Sequence, residues 1–203
     1  MPTIGIEPAA PAERQPTQAA APVGEEAGPA VPGGPAAPAA DERFMQLALA
    51  QARQAAAEGE VPVGAVVVRG GQVIAAAHNR RQNDKNALAH AECLAIAEAC
   101  AARGGWQLWD CELYVTMEPC PMCAGAIVNS RIRRVVWGAA DARAGCCGSV
   151  IDLFTLPFNH RPQSVGGVCA DECAALLQGF FTDLRGRLRS RPRWRPSTQE
   201  ETP

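Results

Sequence analysis

The chain has 203 residues, of which 47% are hydrophobic and 20% charged, and its formal net charge is −2. This length accommodates one ordinary domain with a buried core. No apolar run reaches membrane-spanning length, and the N-terminus lacks the basic and then apolar pattern of a secretory signal. We therefore expect a cytoplasmic protein, and neither a membrane protein nor a secreted one.

The two ends of the chain differ in composition from the segment between them. Residues 1–40 hold nine of the 17 prolines and no aromatic residue, so they have too little apolar surface to offset the entropy of ordering. Six arginines lie within residues 185–195, a run that either forms a solvated tail or contacts the phosphates of a nucleic acid. The predicted organisation is a disordered extension over 1–40, one domain over 41–188 and a basic, flexible tail over 189–203.

Periodicity and turn residues predict helices and strands between the two ends. In chain order they are a helix over 42–57 capped by Asp41, a hairpin of strands over 63–68 and 72–77, a helix over 90–102, a strand over 112–117, a helix over 121–129, a strand over 133–138, a short strand near 165–168 and a helix over 171–188. The helix over 90–102 is predicted to bury a stripe of Cys93, Ile96, Ala97 and Cys100. A hairpin followed by alternating helices and strands predicts one layered α/β/α domain.

Two short motifs combine residue types that bind metals. His90-Ala91-Glu92 opens one predicted helix, and Pro119-Cys120-Pro121-Met122-Cys123 opens another after a strand. Cys120 and Cys123 are one turn apart at a helix N-terminus, a position that favours thiolates. Two thiolates and the neutral imidazole of His90 form a three-ligand zinc set, which leaves a fourth position for water, as in catalytic zinc sites.

Glu92 leaves the same predicted helix at a different angle and is free to act as a base. Zinc lowers the pKa of a bound water from about 16 to about 7, so a carboxylate can remove its proton. Such a pair attacks an electron-poor carbon that bears an amino group in an aromatic base, and Glu92 then protonates the ring nitrogen and the departing ammonia. This reaction is hydrolytic deamination, and zinc deaminases of nucleobases carry an H-x-E motif and a P-C-x-x-C motif.

Each motif by itself has other interpretations. H-x-E is common on protein surfaces, and C-x-x-C after a strand is also the arrangement of thiol–disulfide oxidoreductases. Cys93 lies one turn after His90. Because it is a small apolar residue on the predicted buried stripe, we interpret it as a core residue and not as a fourth ligand. Nine cysteines, an odd number in a chain without an export signal, favour reduced thiols, some of them ligands, over a disulfide framework.

Six stretches carry a resemblance to a known family: VPVGAVVV, AHAEC, LYVTMEPCPMCAGAIVNSRI, VVWGAADARAGCCGS, NHRP and ADECAALLQGFF. Over residues 41–185 the sequence resembles the bacterial tRNA-specific adenosine deaminases, which are cytidine-deaminase-like zinc enzymes. The resemblance implies a three-layer α/β/α sandwich with a central mixed sheet, one Zn²⁺ per chain and a homodimer. It also implies that the wobble adenosine of a tRNA anticodon loop is converted to inosine.

The resemblance further implies roles for individual residues. The zinc ligands are His90, Cys120 and Cys123, and the catalytic residue is Glu92. The implied substrate-binding residues are Asn79, Ala91, Asp141, Phe181 and Arg185. Asn79 is implied at the target base and Asp141 against the ribose and backbone of the flipped nucleotide. Phe180, Phe181 and Arg185 are implied where the C-terminal helix approaches the anticodon loop.

The sequence departs from the family pattern in three places. Asn86-Ala87-Leu88-Ala89 stands where the family commonly has Asp-Pro-Thr-Ala, next to the predicted ligand His90. Cys146-Cys147 replaces small residues without thiols, and Thr182-Asp183 stands where a basic residue is expected. These departures bear on the rim of the pocket and on the contact with RNA.

Three other functions stay open from the sequence. A guanine deaminase of the same superfamily can also carry EPCPMC, although the aromatic and then Arg-rich C-terminus favours RNA, because a free base has no phosphates to neutralise. A thiol–disulfide oxidoreductase would use Cys120 and Cys123 without zinc. A zinc-stabilised RNA-binding module would need the metal but not Glu92, and the three-ligand set with a carboxylate beside it argues against a purely structural zinc.

Overall fold

The computed structural model of the protein describes residues 38–189. Both the predicted disordered extension before residue 38 and the basic tail after residue 189 lie outside the described residues. The helices are α1 (Pro38–Ala57), α2 (Ala91–Arg103), α3 (Pro121–Asn129) and α4 (Ala170–Arg189). The strands are β1 (Gly64–Arg69), β2 (Gln72–His78), β3 (Cys111–Met117), β4 (Arg134–Ala139) and β5 (Gln163–Gly166).

The five strands form one mixed sheet in the order β2-β1-β3-β4-β5. β1 pairs antiparallel with both β2 and β3, whereas the β3–β4 and β4–β5 pairs are parallel. The β1–β2 hairpin turns at Gly70 and Gly71, whose φ angles of 57° and 79° lie in the left-handed region that favours glycine. The parallel β3–β4 pair needs a crossover, which α3 supplies. The predicted mixed sheet is confirmed.

Apolar side chains alternate between the two faces of the sheet, and each face is covered by two helices. In β1, Ala65 and Val67 pack with residues of α2 and α3, while Val66 and Val68 pack with residues of α1 and α4. The period of two in a strand buried on both sides produces these two clusters. The predicted three-layer α/β/α sandwich is therefore confirmed.

Two glycines let α1 and α4 approach the sheet closely. A Cβ at Gly64 would lie 2.1 Å from the backbone oxygen of Ala48 in α1. A Cβ at Gly138 in β4 would lie 2.4 Å from the sulfur of Cys173 in α4. Substituting either glycine would push a helix away from the sheet, since close-packed interiors cannot absorb such overlaps.

Asp41 does not cap the first helix as predicted. The helix α1 begins at Pro38, and the carboxylate of Asp41 instead accepts hydrogen bonds from Arg134, at 2.6 and 2.8 Å, and from the Tyr114 hydroxyl at 2.9 Å. All three residues are buried, and Glu112 also accepts from Arg134. The prediction was wrong because the partner that satisfies this carboxylate comes from β4, 93 positions along the chain.

We expect this buried network to make the free energy of unfolding fall at acidic pH. Burial raises the pKa of Asp41, but the hydrogen bonds from Arg134 and Tyr114 outweigh it and hold the pKa below the ordinary value of 3.8. A lowered pKa contributes stability that is present above the ordinary pKa and is lost as pH falls through the lowered one. Asp41→Asn should lower the free energy of unfolding at neutral pH by about 1–3 kcal/mol. As the pH is lowered from about 6 to about 3, the free energy of unfolding of this variant should fall less than that of the wild type, as measured by urea unfolding.

Helix α2 buries a different stripe from the predicted one. Its buried residues are Ala91, Glu92, Ala95, Ile96 and Ala99. Of the predicted stripe, Ile96 is buried and Cys100 is half-buried against the same core, whereas Cys93 is half-buried outside that core and Ala97 is exposed. In a helix so rich in alanine the apolar periodicity does not fix the rotation, and the sheet selects the face that permits the closest approach. Among residues 38–189 no helix is both long and apolar enough to cross a bilayer.

Candidate metal centre and active site

The metal-binding residues lie where two helices begin. His90 is the N-cap of α2 and Cys120 is the N-cap of α3, each in an extended backbone conformation. Pro121 occupies the first turn of α3, where a missing N–H costs nothing and the fixed φ angle suits a helix. Cys123 follows within the same turn. The loop after β3 and the loop before α2 thereby bring residues 30 and 33 positions apart together.

The three side chains fit one tetrahedral zinc ion. The Nδ1 atom of His90 lies 3.7 Å from the Cys120 sulfur and 3.6 Å from the Cys123 sulfur. All the ligand atoms of this group lie within 4.8 Å of one another. With Zn–S bonds of about 2.3 Å and Zn–N bonds of about 2.0 Å, tetrahedral angles place nitrogen and sulfur about 3.5 Å apart. His90, Cys120 and Cys123 can therefore hold zinc with little rearrangement.

The electrostatics of the centre favour a thiolate. Hydrogen bonds with Cys123 and His90 lower the pKa of Cys120 to about 4, although burial alone would raise it. The hydrogen bond between His90 and Cys120 also raises the pKa of His90. The N-termini of α2 and α3 both point their positive ends at the centre, which adds to the same effect. A site that already holds negative sulfur is suited to a divalent cation.

Glu92 is placed beside the centre without belonging to the ligand set. It lies in the first turn of α2, only 4% of its surface is exposed, and it lines the same cavity as His90 and Cys120. Burial raises its pKa above the ordinary carboxyl value. A carboxyl group in this environment can hold a proton and release it again, as a general acid and base must do.

A cavity of about 210 Å³ opens over the centre. Its lining comprises Val61, Val63, Asn79, Arg81, His90, Ala91, Glu92, Met117, Glu118, Cys120, Asp141 and Ala144. Asn79, Ala91 and Asp141, which the family resemblance implied as substrate-binding residues, line this cavity together with His90, Cys120 and Glu92. Phe181 and Arg185 do not line this cavity.

Asn79 is held in place by a carboxylate that the sequence analysis did not single out. The Nδ2 atom of Asn79 donates to Glu60 at 3.0 Å, and the backbone N–H groups of Gln82 and Asn83 donate to the same carboxylate at 2.7 Å each. Glu60 is fully buried. It therefore fixes both the amide of Asn79 and the loop that follows β2.

A second buried carboxylate, Glu118, holds the loop that carries Asp141. It accepts the backbone N–H groups of Asp141, Cys147 and Ser149 at 3.0, 2.9 and 3.0 Å, and it also accepts from the Ser149 hydroxyl. Burial raises the pKa of Glu118, but these hydrogen bonds outweigh it and the pKa lies below its usual value. The loop is so close that a Cβ at Gly145 would lie 2.3 Å from the Glu118 carboxylate.

Sequence reasoning missed Glu60, Glu118 and Arg81 at this site. Glu60 directly precedes the apolar stretch that leads into β1, and Glu118 directly follows β3. An acidic residue beside a buried strand is costly unless something satisfies it, and that is the signal that could have indicated both. Arg81 gives no such signal, because an exposed arginine in a polar loop is ordinary.

The residues predicted on the C-terminal helix form a separate, exposed face. The rings of Phe180 and Phe181 contact each other edge to face at 5.5 Å. Phe180 is half-buried while Phe181 is 40% exposed. Arg185 is exposed and donates to the Thr182 hydroxyl at 3.1 Å. The side chain of Thr182, one of the departures from the family pattern, therefore positions a neighbouring guanidinium.

The structure also shows the surroundings of Cys93 and of the other residues that depart from the family pattern. Cys93 is half-buried and its sulfur lies 3.8 Å from that of Cys123, so interpreting it as a core residue was wrong. The first turn of α2 places it beside Cys123, outside the three-ligand group. Cys146 and Cys147 are buried, and Cys147 supplies one of the N–H groups bound by Glu118. Leu88 is 62% exposed in the loop before His90.

Comparison with known proteins matches this geometry. Residues 38–139 match the family described as the cytidine and deoxycytidylate deaminase zinc-binding region. A tRNA-specific adenosine deaminase of Bacillus subtilis (strain 168) is 49% identical over 146 residues, which cover 71% of this chain and 91% of that protein. A solved structure from a study of A-to-I editing by tRNA:A34 deaminases at the wobble position of transfer RNA is 44% identical, with a TM-score of 0.64, and the match covers 66% of this chain and 99% of that one. A guanine deaminase from Nitrosomonas europaea has a TM-score of 0.58 at 28% identity, over 70% of this chain and 84% of that one.

The match to the zinc-binding region includes both metal-binding motifs, His90 in the first and Cys120 and Cys123 in the second. The Bacillus relative is matched over nearly its full length. The guanine deaminase shares the fold at lower identity. The chain therefore belongs to the tRNA-specific adenosine deaminase family of zinc-dependent deaminases.

Proposed function

We propose that the protein deaminates the wobble adenosine of a tRNA anticodon loop to inosine by hydrolysis. The observation that carries this proposal is that a three-ligand zinc set and a buried Glu92 lie at the same cavity. The chain that holds this site is 49% identical to a tRNA-specific adenosine deaminase. The same three-ligand set argues against a structural zinc, which takes four protein ligands, and against a dithiol enzyme, which takes no metal.

His90, Cys120 and Cys123 would hold one Zn²⁺ per chain. The ion, when bound, would act as a Lewis acid that lowers the pKa of a water in the cavity towards neutrality. Neutral imidazole and two thiolates leave the centre without excess charge. His90 and Cys120 each begin a helix, so packed helices and not mobile loops fix the ligands.

Glu92 moves the protons of the reaction. It removes a proton from the attacking water, whose oxygen adds to C6 of adenine, and it passes this proton to the ring nitrogen N1. The second proton of the water is transferred in the same way to the amino group, which leaves as ammonia. Adenosine and water thus give inosine and ammonia, and Glu92 returns to its starting state. Its burial suits a group that must be both acid and base in one cycle.

The target nucleotide would be recognised at the mouth of the cavity. Asn79 would contact the base, and Ala91, whose side chain is fully buried, would do so through its backbone N–H in the first turn of α2. Asp141 would contact the ribose. Arg81 has no ion-pair partner among residues 38–189 and lines the cavity, so it would bind a neighbouring phosphate.

The exposed face of α4 would bind the rest of the anticodon loop. Phe181 offers a ring on which a base can stack, and Arg185 offers an exposed guanidinium one turn further on. A guanine deaminase acts on a free base and has no use for such a face. This observation favours an RNA substrate over guanine.

The proposal is tested by incubating the purified protein with total tRNA and with free guanine in parallel. Inosine at the wobble position, with no xanthine from guanine, is the expected result. Xanthine without inosine would contradict the proposal and favour the guanine deaminase. The metal content is measured on the same preparation, and one zinc per chain is expected.

The arginines at the C-terminal end should govern RNA affinity and not the chemical step. Truncation after Ser190 removes three arginines, and each phosphate that is no longer neutralised should flatten the slope of log K against log salt by about 0.7–0.9. Arg185→Gln should flatten it by one such step. Binding titrations of an anticodon stem-loop at several salt concentrations give the slopes. Arg69→Gln is the matched control, since Arg69 already pairs with Asp110 at 2.7 Å, at the end of β1 remote from the cavity. Equal slopes in all four proteins would show that the run is a solvated tail.

We also propose that the enzyme is a cytoplasmic homodimer. Four large apolar side chains between residues 150 and 158 are 37–57% exposed, namely Val150, Ile151, Leu156 and Phe158. Such a concentration of exposed apolar surface is typical of a subunit interface. All nine cysteines are free, as expected of a reducing compartment. Sedimentation equilibrium would determine the mass in solution, and a monomer at micromolar concentration would contradict the dimer.

A further inference from the structure

Cys93 is a thiol beside the metal centre that the proposed reaction does not use. It is the third residue of α2, and Cys123 is the third residue of α3. Both helices begin at a metal ligand, α2 at His90 and α3 at Cys120, so corresponding positions in their first turns meet at the centre. The sulfurs of Cys93 and Cys123 are 3.8 Å apart. One non-ligand thiol therefore contacts one ligand sulfur.

The thiol of Cys93 is available for reaction in a way that the ligand sulfurs are not. Cys93 lies outside the three-ligand group, so its sulfur stays unligated when His90, Cys120 and Cys123 hold zinc. It is half-buried, whereas Cys123 is fully buried. All nine cysteines lie within residues 38–189 and are free. Within that range no other cysteine outside the ligand group is in hydrogen-bonding contact with a ligand sulfur.

The two sulfurs are close enough to be joined by a small change in two side chains. A disulfide bond is about 2.05 Å long, so sulfurs at 3.8 Å have to approach each other by about 1.8 Å. A rotation of about 30° about a Cα–Cβ bond moves a cysteine sulfur by about 0.9 Å. Two such rotations toward each other close the gap while α2 and α3 stay in place.

We propose that Cys93 and Cys123 are a redox pair that controls whether the centre can hold zinc. With both thiols reduced, the three-ligand set is complete. With the two sulfurs joined in a disulfide, Cys123 is no longer a ligand, and His90 and Cys120 are too few for a stable zinc site. Disulfides that form inside cells are usually transient and redox-sensing, which fits such a pair. The inference rests on the ligand set and not on which base is deaminated.

The oxidant is a peroxide, and hydrogen peroxide is the probe. The Cys93 sulfur attacks one peroxide oxygen, so that an S–O bond forms, the O–O bond breaks and one water leaves, which gives a sulfenic acid. The Cys123 sulfur then attacks the sulfur of Cys93, so that the S–S bond forms, the S–O bond breaks and a second water leaves. Together the two thiols lose two electrons and two protons, which the peroxide gains. A dithiol reductant reverses the reaction by thiol–disulfide exchange.

The first measurement is the release of zinc from the reduced, zinc-loaded full chain exposed to hydrogen peroxide in the presence of a chromophoric zinc chelator. The wild type should release its zinc, and dithiothreitol followed by added zinc should restore the metal content. Cys93→Ser should hold zinc and turn over substrate like the wild type before oxidation. Under peroxide it should release zinc at least about tenfold more slowly, because the unligated thiol that reacts first is gone.

Cys100→Ser is the matched control, because Cys100 is another half-buried cysteine of α2 that lies outside the ligand group. It should release zinc at the wild-type rate. If Cys93 served only to donate its S–H to the Cys123 sulfur, the hydroxyl of Cys93→Ser would replace that donor. Oxidation would then act on Cys120 and Cys123, and Cys93→Ser would release zinc as fast as the wild type. That result would overturn the proposal.

The second measurement needs neither a variant nor a substrate. Trypsin cuts the chain into peptides that include 86–103, which holds Cys93, and 104–131, which holds Cys120 and Cys123. A Cys93–Cys123 disulfide joins these two peptides, whereas a Cys120–Cys123 disulfide lies within one of them. After free thiols are blocked, mass spectrometry of the oxidised wild type should show the joined peptides in step with zinc release, and fragmentation should place the bond at Cys93 and Cys123.

Zinc-free oxidised protein with a disulfide only inside 104–131 would contradict the proposal, even if the Cys93 variant failed to fold. Both measurements are made without RNA. A failure to deaminate adenosine would therefore overturn the proposed function and leave this test in force.

Discussion

Glu92→Gln should abolish nearly all turnover while the protein keeps its zinc. Glutamine has the size of glutamate, and Glu92 lies outside the ligand group, so the metal centre should be intact. The amide cannot take a proton from water or return one to the base. Loss of a positioned acid and base costs about 10²- to 10⁴-fold in rate. Because Glu92 would act in more than one step of the cycle, we expect the upper end of this range or beyond.

The measurement is single-turnover inosine formation on a saturating stem-loop, with metal content determined on the same sample. A residual rate above about one tenth of the wild-type rate would show that another group carries the protons. Glu98→Gln is a suitable control, since Glu98 is an exposed residue of the same helix and does not line the cavity. Its rate and zinc content should be those of the wild type.

Substituting any one of the zinc ligands should remove the metal and the activity together. His90→Ala, Cys120→Ala and Cys123→Ala each leave two protein ligands, too few for a stable zinc site. Zinc content should fall well below one per chain, and turnover should fall in proportion to it or further. The loss differs from that of Glu92→Gln, in which metal is retained, so the two classes of variant separate holding the ion from moving protons.

Cys100→Ser is the matched control for the cysteine variants, because Cys100 is half-buried, its sulfur lies 3.6 Å from the carbonyl oxygen of Trp106, and it is outside the three-ligand group. It should retain zinc and activity. A Cys123→Ala protein with full metal content and activity would show that the ligand set is wrong. Cys93, 3.8 Å from Cys123, would then be the first residue to examine as a replacement ligand.

The sequence by itself determined the local parts of this protein. The spacing of Cys120 and Cys123 at a helix start, and of His90 and Glu92 in one helical turn, is set by backbone geometry over a few residues. For the same reason the strands and helices were predicted with boundaries close to the observed ones. The alternation of hairpin, helices and strands was enough to predict the layers, because apolar faces have few ways to bury each other.

Only the tertiary structure decided which distant side chains satisfy one another. Asp41 was predicted to cap a helix and instead binds Arg134, and Cys93 was assigned to the core and instead lies against Cys123. The position of Glu60 and Glu118 beside buried strands indicates that each needs partners but not which ones, and each organises a loop of the cavity through N–H groups between 19 and 31 positions away. The physical reason is that a buried charge has no preference of its own for one partner. Its partner is whichever donor the packed layers bring within reach, and local periodicity does not encode that.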